Sequence, residues 1–277
     1  MKEILVEENA FLYEYLRSKL VDLSKNNIKK LLHDNYIYVN NKCITKYNYK
    51  INKGDIIKIK STNKLDIIYE DKYIIVVNKP YNLLTVSTDG EKNNTLYNMV
   101  SSYVKKTNKN NKIFVIHRLD KDTSGIVMFA KTQAIKNMYQ NNWNDIVKKR
   151  CYYAIVDGIL TKNEGTIKSY LTEKNMIVYS TKDKKIGKLA ITDYNVIKSN
   201  NNFSLLNINI KTGRKNQIRV HMKENNTPIL GDRKYGRKDK SKRMFLHAYK
   251  LELLNPITKK NMAFETNMPE EFNKIIK

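Results

Sequence analysis

The run Ile116-His117-Arg118-Leu119-Asp120-Lys121-Asp122-Thr123-Ser124-Gly125 crowds a histidine, an arginine, a lysine and two carboxylates into a few positions. Before it, the stretch 112–116 is a short, largely apolar run entering a core. After it, the stretch 126–130 reads as a buried strand rich in branched residues. A solvated loop accounts for charge and a turn, and Ser124-Gly125 supplies the freedom to turn back. It does not account for ionised groups between two runs this apolar, because charge inside a core is tolerated where it is paired or at work. One chemistry open to Asp120 and Asp122 is that of the two-carboxylate glycosidases. Nothing else in the chain supports a sugar site of that kind.

The same residues match His-Arg-Leu-Asp-x-x-Thr-Ser-Gly at every fixed position. In this the chain resembles the RluA-type pseudouridine synthases. A related branch usually opens the motif with glycine where His117 stands. Three further stretches extend the resemblance. Asn78-Lys79-Pro80, after Val76-Val77, is similar to the family's opening motif, with Asn82 where glycine is usual. Arg150 precedes Tyr152, Ala154, Val156 and Gly158, similar to a basic residue followed by Tyr-x-Ala-x-Val-x-Gly. Thr212-Gly213-Arg214-Lys215-Asn216-Gln217-Ile218-Arg219-Val220-His221 departs from Thr-Gly-Arg-x-His-Gln-Ile-Arg-x-His only at Asn216. Asparagine still donates and accepts hydrogen bonds, so the change reads as tolerated. From Asp66 to the C-terminus the resemblance is essentially complete.

The resemblance implies an RNA isomerase. Converting uridine to pseudouridine breaks the N1–C1′ glycosidic bond, turns the uracil and joins C5 to C1′. No atoms or electrons enter or leave, so neither cofactor nor metal is expected. Asp120 is then the catalytic carboxylate, as nucleophile or as base in an elimination. Arg219 lies against it and keeps it charged. Tyr152 stacks on the uracil and helps remove the C5 proton. The base must leave its stack, and Arg118 is the candidate to fill the gap. His117, Lys79, Arg214 and Gln217 are expected to contact substrate. Two alternatives remain at this point: the same chemistry on transfer RNA rather than large-subunit ribosomal RNA, and a non-catalytic RNA-binding or ribosome-assembly protein that kept the fold.

The elements that must carry these residues are partly legible. Alternating residues along a strand share a face, so Tyr152 and Tyr153 point to opposite sides and Tyr153 reads as core filling. Residues 67–77 read as a hairpin, 95–104 and 132–143 as helices, and 203–210 as a half-buried strand. Residues 171–188 are polar and suggest no more than a loose hairpin or basic loop. The expected class is α+β, with a mixed, mainly antiparallel sheet in a catalytic domain spanning 63–277.

Residues 1–62 form a separate unit in this reading. Leu12, Leu16 and Leu20 recur at helical spacing, Ser24 caps a second helix striped by Ile28, Leu31 and Leu32, and Asn35 suits a helix exit. Asn40-Asn41 is a hairpin turn and Lys53-Gly54-Asp55 a turn into a last strand. The arrangement resembles the S4 RNA-binding domain, joined to the rest by a polar linker at 61–64. Where that family often begins its first helix with Arg-Leu-Asp, this chain has Phe11-Leu12-Tyr13. Lys25, Lys29, Lys30 and Lys42 are the candidate phosphate contacts.

Composition agrees with an RNA partner. Lys and Arg number 52 against 27 Asp and Glu, a net charge of +25, and a field of that size attracts polyanions. No apolar run reaches the roughly 18 residues of a membrane span. Acidic residues stand where a signal peptide would place its apolar core, so a cytoplasmic monomer is expected. Cys43 and Cys151 have no partner motif, and neither they nor the histidines show metal-ligand spacing.

Overall fold

The computed structural model describes residues 2–21, 23–33, 36–59, 65–91 and 94–277. Asn35, the expected linker at 61–64 and the expected boundary between 62 and 63 lie outside the described residues. The chain divides into two compact units, Met1–Lys64 and Leu65–Lys277.

The first unit contains β1 (Lys2–Leu5), β2 (Ala10–Phe11), α1 (Leu12–Lys19), α2 (Lys25–His33), β3 (Ile37–Val39), β4 (Lys42–Cys43), β5 (Lys50–Ile51) and β6 (Ile56–Ile59). Its sheet runs β1-β6-β3-β4. Leu12, Tyr15, Leu16, Ile28 and Leu32 bury their stripes against Ile37, Val39 and Ile57. Ser24 caps α2 as expected, its Oγ accepting from the amide of Asn27 at 3.3 Å. Asn40 and Asn41 both take positive φ, 48° and 67°, the geometry of a two-residue hairpin. Strand β1 was not anticipated; its pairing with β6 is a long-range event that a four-residue stretch does not announce.

The second unit continues with β7 (Asp66–Glu70), β8 (Ile74–Lys79), α3 (Leu96–Lys105), β9 (Phe114–Val115), β10 (Ser124–Ala130), α4 (Gln133–Asn141), α5 (Trp143–Ile146) and β11 (Val147–Asp157). It ends with β12 (Glu164–Lys174), β13 (Ile177–Thr181), β14 (Lys188–Ser199), β15 (Phe203–Ile210), α6 (Gln217–Glu224), β16 (Leu246–Leu254), β17 (Asn261–Glu265) and α7 (Glu270–Ile275). An 11-stranded sheet runs β13-β12-β14-β15-β11-β16-β10-β8-β7, with β17 added to β16 and β9 to β10. Strands β10 and β16 pair parallel, and the flanking pairs are antiparallel. The sheet is thus mixed and mainly antiparallel, as expected.

The continuous apolar runs of β8 and β10 arise because both faces are covered. Ile74, Val76, Ile126 and Met128 pack on one side with Ile135 and Tyr139 of α4. Ile75, Val77, Val127 and Phe129 pack on the other with Leu96, Val100 and Val104 of α3. Thr95 and Thr132 cap those helices through their hydroxyls. Gly125 is required where β10 meets β16: it has φ +118°, and a Cβ would stand 2.1 Å from the carbonyl oxygen of Ala248.

The stretch 171–188 is better ordered than its polarity suggested. Strands β12 and β13 pair from Tyr170–Thr181 to Lys174–Ile177, turning through Asn175 and Met176 at positive φ. One face buries Leu171 and Val178 with Val220 and Tyr235, while alternate residues face out and make the sequence look polar.

Candidate active site

Asp120 lies in the short connection between β9 and β10, and its backbone is held from both flanks. The Thr85 hydroxyl donates to the carbonyl of Leu119 at 2.8 Å and accepts from its amide at 3.2 Å. The carbonyl of Lys121 accepts from the Leu83 amide and from Lys79 Nζ, both at 3.1 Å. Below the loop, Ser124 Oγ contacts His247 Nδ1 at 2.8 Å and accepts from Arg243 Nη2 at 2.7 Å. Clamps on Leu119, Lys121 and Ser124 leave the Asp120 side chain little choice of position.

Helix α6 supplies the cation. Arg219 donates through Nη1 to Asp120 Oδ2 at 3.1 Å and to Asn216 Oδ1 at 3.0 Å. Its other edge makes a two-point bond with Asp232, Nε to Oδ2 at 2.7 Å and Nη2 to Oδ1 at 2.8 Å. Asp232 also accepts from the amides of Lys234 and Tyr235. The two carboxylates on this guanidinium differ sharply: the Asp232 side chain is 0% exposed and that of Asp120 36%. Asp232 is therefore the fixed counter-ion, and Asp120 is the carboxylate open to a reactant. Burial alone would pull both charges toward neutrality, but their pairing reverses it, raising Arg219 and lowering Asp232.

Asp120 and Arg219 open onto a cleft of about 520 Å3, lined also by His117, Arg118, Trp143, Arg150, Tyr152 and the loop 213–218. Tyr152 reaches it from β11, its phenol pushed up to about 12 by burial, with Arg150 lowering it and Asp120 adding to the rise. It therefore keeps its proton at neutral pH. His117 Nε2 accepts from the amide of Met128 at 3.2 Å, and the ring leans on Trp143 at 5.1 Å. Burial and then the Arg150 charge pull it down to about 4, so it is a neutral wall. A protonated phenol, a neutral imidazole and guanidinium groups around one open carboxylate suit a flat, neutral base whose sugar and phosphates lie against cations.

Residues 73–224 match the model of the RNA pseudouridylate synthase family. The chain belongs to that family. It is 30% identical to an uncharacterized RNA pseudouridine synthase of Mycoplasma genitalium, across 100% of this chain and 95% of that one. It is 31% identical to ribosomal large subunit pseudouridine synthase D of Blochmanniella floridana, across 99% and 96%. The human protein RNA pseudouridylate synthase domain containing 4 shares its fold, with a TM-score of 0.63 at 22% identity over 75% of this chain and 90% of that one. As a pseudouridine synthase, the chain is an isomerase acting on RNA.

The structure brings together Asp120, Tyr152, Arg219, His117, Arg118 and Arg214 around the synthase cleft. Two of the expected substrate contacts need correction. Lys79 is 0% exposed, and its Nζ donates to the carbonyls of Pro80, Leu83 and Lys121. Burial pulls this ammonium down to about 7, opposed by Asp122 and Asp120, and three carbonyl acceptors favour the charged form. It fastens the loop from beneath and has no donor left for substrate. Gln217 borders the cleft, but its amide is fully used. Oε1 accepts from Thr212 Oγ1 and the Arg214 amide, and Nε2 donates to Ile191 O and Thr192 Oγ1. It shapes the 212–216 loop.

Asn216 sits at φ 53° at the start of α6. Its Oδ1 accepts from Arg219 and its Nδ2 donates to the Tyr235 hydroxyl, so both capacities that made the residue tolerable are in use. Asp232, Trp143, Thr85 and Arg150 were missed as site residues. The Gly231-Asp232 pair within the matched stretch was the available signal for Asp232, and the chain's sole tryptophan, at the end of the run read as a helix over 132–143, for Trp143. In the first unit Lys25, Lys29 and Lys42 are exposed; the side chain of Lys30 lies outside the described residues.

Proposed function

We propose that this synthase isomerises specific uridines in structured RNA, with large-subunit ribosomal RNA as the substrate and Asp120 as the carboxylate acting at the sugar. The observation that carries the reading is the asymmetry at Arg219: one carboxylate fully buried, the other on the same guanidinium open to the cleft. Beside C1′, an ionised Asp120 attacks the sugar or removes a proton from it while the N1–C1′ bond breaks. The freed uracil turns against Tyr152 and joins C1′ through C5 as Asp120 leaves C1′ or returns the sugar proton; C5 then gives up its proton to solvent and N1 takes one up, so the net change is zero. Exposed Arg118, beside Asp120, fills the space the flipped base leaves. The names of relatives that modify the ribosomal large subunit support that choice of RNA.

We further propose that residues 1–62 form an S4-like domain that adds a second, tethered RNA contact through Lys25, Lys29, Lys30 and Lys42. Tritium release from RNA carrying C5-tritiated uridine tests the activity. Mapping of pseudouridine in large-subunit ribosomal RNA and transfer RNA from a deletion strain tests the substrate. Loss confined to transfer RNA would overturn the ribosomal assignment.

A further inference from the structure

In the first unit, two tyrosines and a lysine meet at the surface. The amide of Tyr13, in α1, donates to the carbonyl of Tyr47 at 3.3 Å, and the pairing of β2 with β5 fixes the same two segments through Phe11–Lys50. The rings stand edge to face, 6.0 Å apart at 77°. Lys29 Nζ, from α2, lies 5.8 Å from the Tyr13 ring and 6.0 Å from that of Tyr47. Tyr13 packs against the core of the unit, whereas Tyr47 remains 45% exposed. Exposed Arg17 and Lys25 lie one helical turn from Tyr13 and Lys29.

We propose that this ring pair is a stacking platform for an unpaired RNA base, with Lys29 taking the adjoining phosphate. The inference rests on reading the first unit as RNA-binding and deepens it, from contact with phosphates to capture of a single-stranded nucleotide. An exposed ring offers a face to any base, and a lysine already held over the two rings adds a phosphate contact with little further ordering. Edge-on packing against Tyr13 holds the Tyr47 ring in place. The aromatic residues at Phe11-Leu12-Tyr13 also receive an explanation: where charge is usual at the start of this helix, the chain presents rings there and draws its cation from α2.

The test uses the full-length protein, a short fluorescein-labelled oligouridylate and an RNA duplex of equal length, with affinity followed by anisotropy across a salt series. Tyr47→Ala should weaken oligouridylate binding about tenfold, leave the duplex unchanged, and leave the salt slope intact, because a ring and not a charge is removed. Tyr47→Phe should bind as wild type. Lys29→Gln should lower the salt slope by about one. Thermal melts confirm folding of each variant. Wild-type affinity in Tyr47→Ala, with weakening in a Lys25/Lys29/Lys42→Gln triple variant, would overturn the platform and leave the RNA-binding reading standing. Wild-type affinity in both would overturn the two together.

Discussion

Removing Asp232 tests whether the buried carboxylate, rather than Asp120, is the structural partner of Arg219. In Asp232→Ala, Arg219 loses both short bonds on its Nε–Nη2 edge, and the amides of Lys234 and Tyr235 lose their acceptor. Breaking a buried pair from one side costs about 3–5 kcal/mol, because a charge is left uncompensated. Asp120 remains within 3.1 Å, so about 3 kcal/mol is the expected loss. For a unit the size of Leu65–Lys277, that corresponds to a fall in Tm of about 6–12 °C. The freed guanidinium should also swing toward Asp120 and lower kcat. Thermal melts and single-turnover rates on one RNA measure both effects. The Asp232→Ala/Arg219→Ala double variant should lose less stability than the two single losses added together. A Tm within about 2 °C of wild type in Asp232→Ala would refute the assignment.

Thr85→Val keeps shape but strips the hydroxyl that serves both backbone groups of Leu119. Turnover should drop about tenfold or more with KM near wild type, and Thr85→Ser should restore it; an unchanged rate in Thr85→Val would show that Asp120 needs no such clamp. His117 and His247 are both held near pKa 4 by burial, below the roughly 6.5 of an unfolded histidine. Between these values the unfolded chain binds more protons. Stability is therefore complete above about pH 6.5 and falls toward pH 4, by at most about 1.4 kcal/mol per pH unit for each histidine. Urea unfolding across that window should show the slope, and a flat response would contradict neutral burial. Affinity for substrate RNA should fall steeply as salt rises from low to physiological levels. A flat salt response would mean that the +25 charge is no binding surface.

What could be read in advance follows from where the physics is local. The Asp120 loop was visible because continuous apolar runs on both sides announce strands covered on two faces, and charge between them stands out. The helix cap at Ser24 was visible, since capping acts over three residues, whereas Thr95 and Thr132, read as the first residues of their helices, are their caps. The partners of Arg219 were only half visible: Asp120 came through family resemblance, while Asp232 depends on a close approach that no spacing reveals. Lys79 and Gln217 were misread for one reason. A polar side chain in a matched motif looks the same whether it faces a substrate or is consumed by backbone, and only burial distinguishes them. The β12–β13 hairpin was obscured because its outward-facing alternate residues dominate its composition.

Asp120→Asn remains the most direct measurement. The amide keeps the size of the carboxylate and removes its charge. Arg219 keeps its two-point bond to Asp232, so the fold should melt close to wild type. RNA affinity should also be nearly unchanged, because phosphate contacts are untouched. Pseudouridine formation should vanish in single-turnover tritium release, while Asp122→Asn, altered outside the fixed motif positions, stays active. Near wild-type release from folded Asp120→Asn protein would contradict the central assignment.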